Sequence, residues 1–289
     1  MTLGLAVPSA FAGFATVTVD GTVDAAYGAA LAVQNANTSF GDATSGNLIG
    51  GGGSEMDALY VAHDNTNLYL CITGNLESNG NIHLVVIDNF DDNSGITGAF
   101  AGINGADGYF QTNGSGNGMG GSTFPSGMNV DYLGAFKCFN NPLEWRYQTS
   151  TDMATTTAFG NFATGATTNP AINSQNGYTF ALNNANTAGV AGTGGGFPAS
   201  GGPPGSVTTG LELAIPLTEL GTVTLGTTQL GIFVAHTSGD ANFFSNQCLP
   251  PAATPQDHFA TDPNFTTLNT GFVTYNVVVP VELSVFQAN

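Results

Sequence analysis

Carboxylates are the residues of this chain best placed to do chemistry. Asp88-Asn-Phe-Asp-Asp-Asn-Ser-Gly95 is the densest acidic run, and it closes the strongly apolar stretch from Ile82 to Ile87. Asp88, Asp91, Asp92 and Asn93 offer hard oxygen ligands on a turn, the donor type that Ca2+ takes. The spacing is not that of an EF-hand, and no closing Glu follows. An Asx-rich turn, whose side chains bond their own backbone, accounts for the same residues without a metal. Ca2+ is thus the one cofactor these residues suggest, beside a purely structural reading. His63, His83, His236 and His258 lack H-x-H or H-E-x-x-H spacing, and His63 and His83 fall among apolar strand residues. Hydrogen-bonded structural roles are expected for them. No G-x-S-x-G elbow occurs. Of the six Glu, Glu77, Glu212 and Glu219 stand beside turns or a helix start, and a glycosidase pair would have to be assembled by the fold. The chain reads as a non-enzyme.

Aromatic rings are the next resource. Sandwich-type sugar binders stack pyranose rings on exposed Trp or Tyr. Trp145 is the only Trp and alternates with Glu144, Arg146 and Tyr147; with Tyr132, beside a Gly-rich loop, Trp145 and Tyr147 are the ligand-binding candidates. Most aromatics in a sandwich belong to its core, which is the competing expectation. Cys71, Cys138 and Cys248 form no C-x-x-C pair. Either one disulfide of unknown pairing plus an odd thiol, or three small buried hydrophobes, fits them.

Charge narrows the partners. The 289 residues carry 20 acidic side chains and 2 basic ones, Lys137 and Arg146, for a net charge of −18. Nucleic acid needs Lys and Arg to displace counterions, and anionic lipid needs a basic face; both are excluded as partners. Phosphorylated substrates would meet a repulsive field. With 42% hydrophobic residues, 20 Phe and 8 Tyr, the chain can bury a sizeable core. Its surface must then be Asn, Thr, Ser, Gln and Gly, a composition that points to the extracellular space or the cell surface.

The elements that must position these residues are strands. Ala15 to Val19, Ala58 to His63, Leu68 to Thr73, Ile82 to Ile87, Val130 to Phe136, Trp145 to Gln148, Tyr178 to Leu182, Gly210 to Ile215, Gln229 to His236 and Gly271 to Phe286 read as strands. Only Pro216-Leu-Thr-Glu-Leu-Gly221 reads as a short helix. Gly-rich stretches from Ser45, Thr112 and Thr187 read as long loops. The expected fold is all-β: an antiparallel β-sandwich, jelly-roll or immunoglobulin-like, with long Gly-rich loops and one short helix. Residues 13–289 are expected to form one such domain, with an extended C-terminal strand over 271–286. Residues 1–12, ending Ala10-Phe-Ala12, read either as the remnant of a signal peptide or as an apolar N-terminal strand. No stretch reaches the roughly 20 apolar residues of a membrane span.

Val19-Asp-Gly-Thr-Val-Asp-Ala-Ala-Tyr-Gly28, Asp57-Ala-Leu-Tyr-Val-Ala-His-Asp-Asn-Thr-Asn-Leu-Tyr-Leu70 and Gly210-Leu-Glu-Leu-Ala-Ile-Pro-Leu-Thr-Glu-Leu-Gly221 together resemble secreted β-sandwich domains related to carbohydrate-binding module family 9 and DOMON-like domains. Ser245-Asn-Gln-Cys-Leu-Pro-Pro251 is similar to a stretch of bacterial surface proteins that share this opening. The resemblance implies the sandwich fold; the Trp clamp of family 9 modules has no counterpart here, so no sugar-binding residue is carried over. Tyr275-Asn-Val-Val-Val-Pro-Val-Glu-Leu-Ser-Val-Phe286 looks like a segment near the ends of many secreted bacterial proteins. Pro280 cannot sit centrally in a ladder. Val277, Val279, Val281, Leu283, Val285 and Phe286, with Leu3, Leu5 and Val7 at the other end, are candidates for strand addition to a second copy. An edge strand of the chain's own sandwich is the alternative. The expected function is a non-enzymatic subunit of a self-assembling filament, sheath or surface layer. A carbohydrate-binding module, with polysaccharide as partner, is the alternative.

Overall fold

A computed structural model describes residues 13–40, 53–76, 79–92, 95–97, 118–139, 143–149, 158–162, 171–186, 203–268 and 270–279. Its strands are β1 (Ala32–Val33), β2 (Glu55–His63), β3 (Asn67–Asn75), β4 (Asn79–Asn89), β5 (Ile96–Thr97), β6 (Asn129–Val130), β7 (Tyr132–Phe139), β8 (Leu143–Thr149), β9 (Ala158–Phe162), β10 (Ala171–Gln175), β11 (Tyr178–Leu182), β12 (Gly210–Pro216), β13 (Gln229–Thr237), β14 (Phe244–Leu249) and β15 (Val273–Asn276). A six-stranded sheet runs β1-β2-β3-β12-β11-β10. A seven-stranded sheet runs β14-β13-β4-β7-β8-β9, with β15 on β13 beside β14. Every ladder is antiparallel, and β5 and β6 make a separate two-stranded ribbon. The molecule is an all-β sandwich, as its strand periodicity predicts.

Apolar patterning explains why the sheets stack. Leu59, Val61, Leu70 and Ile72 from one sheet meet Val85, Ile87, Phe136, Ile232 and Val234 from the other in one buried core. The near-continuous apolar run in β4 has a further cause. Its alternate residues Ile82, Leu84 and Val86 face outward and are buried under Phe124, Met128, Phe259 and Phe265 of the loops. A strand covered on both faces needs apolar side chains on both. The six-stranded sheet is covered likewise, with Val17 and Tyr27 packed over Ala58, Tyr60, Tyr69 and Cys71.

Two expectations change. Ala15 to Val19 joins no ladder: it is an extended segment laid across the six-stranded sheet, with Val17 buried. The turn after Pro216 is a 3-10 turn over Leu217–Leu220, and further 3-10 turns occupy Ala25–Tyr27 and Pro204–Ser206. Among the described residues no helix is long and apolar enough to cross a membrane.

Two polar joints hold the layers. The Asp20-Gly21 turn donates both backbone N–H groups to Glu212 Oε2 at 2.8 Å, and the Tyr27 hydroxyl donates to Glu212 Oε1 at 2.7 Å. Gly21 has φ +81°, and a Cβ there would stand 2.6 Å from Asn183 Cβ, so the turn requires glycine. At the opposite seam, Gln247 Oε1 on β14 accepts the Met56 N–H at 2.8 Å, while its amide donates to Ala36 O at 3.1 Å. Asn246 exchanges bonds with Ser39 and donates to Asn37 O. The Ser-Asn-Gln stretch therefore ties one sheet's edge to the other.

Candidate functional site

The contact that joins Gly13, His63, Tyr275 and Val278 is the best-built candidate among the described residues. His63 ends β2, and the following turn is fixed by Asp64, whose Oδ1 accepts the N–H groups of Thr66 and Asn67 at 2.7 and 2.8 Å. Its Oδ2 accepts the Tyr69 hydroxyl at 2.7 Å. Burial opposes the charge, but the bonds from Tyr69, Thr66 and Asn67 outweigh it and bring the carboxyl down to about 2. The hairpin thereby holds His63 in place. The His63 N–H donates to Gly13 O at 2.8 Å, and Ala15 N–H donates to His63 O at 3.0 Å, so the incoming segment runs parallel along the strand end.

The His63 ring then reaches the outgoing segment. Nδ1 lies 2.6 Å from the Tyr275 hydroxyl, Nε2 lies 2.9 Å from Val278 O, and the Tyr275 hydroxyl lies 2.6 Å from Gly13 O. A carbonyl only accepts, so Nε2 carries the proton toward Val278. With a neutral ring, Tyr275 has one proton to share between Nδ1 and Gly13 O; all three bonds form together only with a doubly protonated imidazole. Desolvation lowers the His63 pKa, against the pull of the Val278 and Gly13 carbonyls and of Asp64. The clasp is thus a neutral-ring contact that a proton would tighten.

The strand expected over 271–286 pairs as Val273–Asn276 with β13 of its own sheet. Val273, Tyr275 and Val277 are buried in alternation, but Val279, next in that period, is 49% exposed beside exposed Val278. Leu3, Leu5, Val7, Val281, Leu283, Val285 and Phe286 lie outside the described residues.

The other candidate residues are buried in the core or engaged in a turn, the structural alternatives set beside them. Trp145, Tyr147 and Tyr132 are corrected as a ligand platform: all are buried between the sheets, Trp145 being 1% exposed. Tyr132 stacks on Tyr147 with centroids 6.1 Å apart, and Tyr147 meets Tyr178 at 4.5 Å. Their alternation carries them inward together, where they offer no face to a polysaccharide. Asp88, Asp91 and Asp92 do not converge, and Asn93 lies outside the described residues. Asp88 is buried, accepts Asn129 N–H at 2.8 Å, and is pushed up to about 6 by burial, against that bond. Asn89 organises the turn instead: its Oδ1 accepts Asp91 N–H at 3.2 Å, and its O accepts Asp92 N–H at 2.8 Å. Cys71, Cys138 and Cys248 are buried in three separate clusters and form no disulfide with one another.

Three arrangements join residues that the sequence names only singly or not at all. His83 and His236 face each other across β4 and β13 with Nδ1 atoms 2.8 Å apart; burial pushes His83 down to about 3. Glu212 is the hub under the Asp20-Gly21 turn, pushed up to about 7 by burial against its hydrogen bonds. Its signal was a lone acid between Leu211 and Leu213. Near the His pair, a cavity of about 430 Å³ is lined by Phe40, Phe243, Asn79, Asn81, Asn242 and Asp240, the two rings stacked 6.3 Å apart. No protein-family model matches the chain, and no curated protein matches it.

Proposed function

We propose that this protein is a non-enzymatic, extracellular structural subunit that assembles with copies of itself by β-strand addition. The supporting observation is the bond between Tyr275 and Gly13, which holds the segment that begins at residue 13 beside the one that runs to residue 279. Both flanking sequences are apolar, and exposed Val278 and Val279 begin the run that Val281, Leu283 and Val285 continue. A strand whose apolar pattern outlasts its own ladder suits the sheet of a second copy. Head-to-tail repetition of that contact gives an open array.

The test compares the full chain with a Leu283→Asn/Val285→Asn double variant by sedimentation and negative-stain microscopy. Wild type is expected to form polymers, and the variant to sediment as monomer with unchanged melting. Equal polymerisation of both, or monomers at high concentration, would remove the reading.

The cavity lined by Phe40 and Phe243 favours a second reading, a module for neutral saccharides, because aromatic rings beside three amides suit a polyol. Calorimetric silence toward neutral oligosaccharides would eliminate it.

A further inference from the structure

We propose that the start of β2 is a binding site for a hard divalent cation, Ca2+, held by Glu55, Asp57 and Asn75. The site is separate from the acidic turn after β4 and independent of assembly. Glu55 and Asp57 are fully buried. Met56 and Leu59 take the side of β2 that faces the inter-sheet core, and the ladder shifts register between Met56 and Ala58. Both carboxylates converge on one donor: Asn186 Nδ2 lies 2.7 Å from Glu55 Oε1 and 3.3 Å from Asp57 Oδ2. Two carboxylates gathered out of water cannot both ionise cheaply, so such a pair retains a proton or takes a cation. The chain's two basic side chains are on the other sheet: Lys137 in β7 donates to Gly239 O at 2.9 Å, and Arg146 in β8 pairs with Glu144 at 3.1 Å.

An independent observation distinguishes cation from proton. Asn75 stands directly opposite Glu55 in the β2–β3 ladder. Its side-chain amide donates to Asn186 O at 2.7 Å, which turns the carboxamide toward the residue that bridges the carboxylates. Asn75 Oδ1 is buried, on a residue 4% exposed, and has no hydrogen-bond partner among the described residues. A shared proton would leave this oxygen unsatisfied, at a cost; a cation coordinates it. Two carboxylates and a carboxamide oxygen are hard ligands of the kind Ca2+ takes in mixed sets, and they hold no thiolate or imidazole for softer metals. The segment carrying Asn186 is anchored beforehand, since Asn184 Oδ1 accepts Leu76 N–H at 2.9 Å and its amide donates to Leu76 O at 2.8 Å.

The test uses the full chain stripped with EDTA, titrated with CaCl2 by calorimetry and melted with and without the ion. One Ca2+ per chain is expected, with a melting temperature about 3 °C higher when free Ca2+ is ten times Kd. Asp57→Asn and Asn75→Ala should each weaken binding about tenfold or more, and Asp57→Asn without Ca2+ should melt no lower than wild type. Asn75→Ala removes only a neutral group and is the arm that stands if the carboxylate variant folds poorly. Asp91→Asn/Asp92→Asn should bind as wild type does. Absence of Ca2+ heat with a pH-dependent melt would assign the pair a shared proton and overturn the proposal. So would binding that survives Asp57→Asn and Asn75→Ala but is lost in the Asp91/Asp92 variant.

Discussion

At the scale of single residues, the motif residues of this chain are structural joints. Glu212 joins Asp20, Gly21 and Tyr27 of the opening segment to the six-stranded sheet. Burial raises its pKa from 4.5 to about 7, despite three donors that favour the charge. Because the folded value lies above the unfolded one, the contribution to stability is fully present below about 4.5 and is lost as pH rises through about 7. Glu212→Gln keeps an acceptor for the two backbone N–H groups and removes the charge. It should flatten the loss between pH 5 and 8 and leave the variant more stable than wild type at pH 8, by up to roughly 3 kcal/mol. Urea unfolding across that range checks this; an unchanged slope would show that Glu212 does not carry it. Asp88, also raised, acts in the same direction. His83 and His236, buried with lowered pKa values, act oppositely: unfolding lets them take protons below about 6.5, so their contribution falls as pH drops.

At the scale of elements, legibility followed local pattern. The β2–β3 hairpin was readable because Asp64 through Asn67 is turn chemistry between two apolar runs, and β4, β11, β12 and β13 announce themselves by β-branched and aromatic runs. Strand β14 was not legible as a strand, since Phe-Ser-Asn-Gln-Cys-Leu has two amides where apolar side chains are expected; those amides bond across the seam. Ala15 to Val19 failed in the opposite sense, its alternation being met by packing on a sheet face without joining a ladder. Gly134 in β7 shows a constraint visible only after folding: a Cβ there would lie 2.1 Å from Trp145 Cη2. Gly134→Ala should destabilise the sandwich by about 1–3 kcal/mol, with tryptophan fluorescence reporting the displaced ring. A loss within about 0.5 kcal/mol would mean that the indole is not packed against that backbone.

At the scale of the whole molecule, charge sets the conditions under which the proposed assembly forms. A subunit of net charge −18 repels its copy. Screening shortens the reach of that repulsion from about 30 Å at 0.01 M salt to about 8 Å at 0.15 M. The protein concentration at which polymers appear should therefore fall as salt rises, and as pH moves toward the isoelectric point near 4.1. Light scattering measures this directly, and polymers that dissolve as salt rises would contradict strand addition between like-charged copies.

The sequence by itself determined the all-β class and most of the central strands, because these depend on composition and on side-chain alternation along a few residues. Tertiary structure alone decided which face each residue took and what it met there. Trp145, Tyr132 and Tyr147 became core; Asp88 parted from Asp91 and Asp92; Glu212 found the Asp20-Gly21 turn; Gly13 and Tyr275, at opposite ends of the chain, came to share a hydrogen bond. The physical reason is that alternation fixes the period of a strand but not its layer. Four side-chain layers compete for the same apolar pattern in a sandwich covered on both outer faces, and only the long-range register of the sheets assigns each residue to one of them.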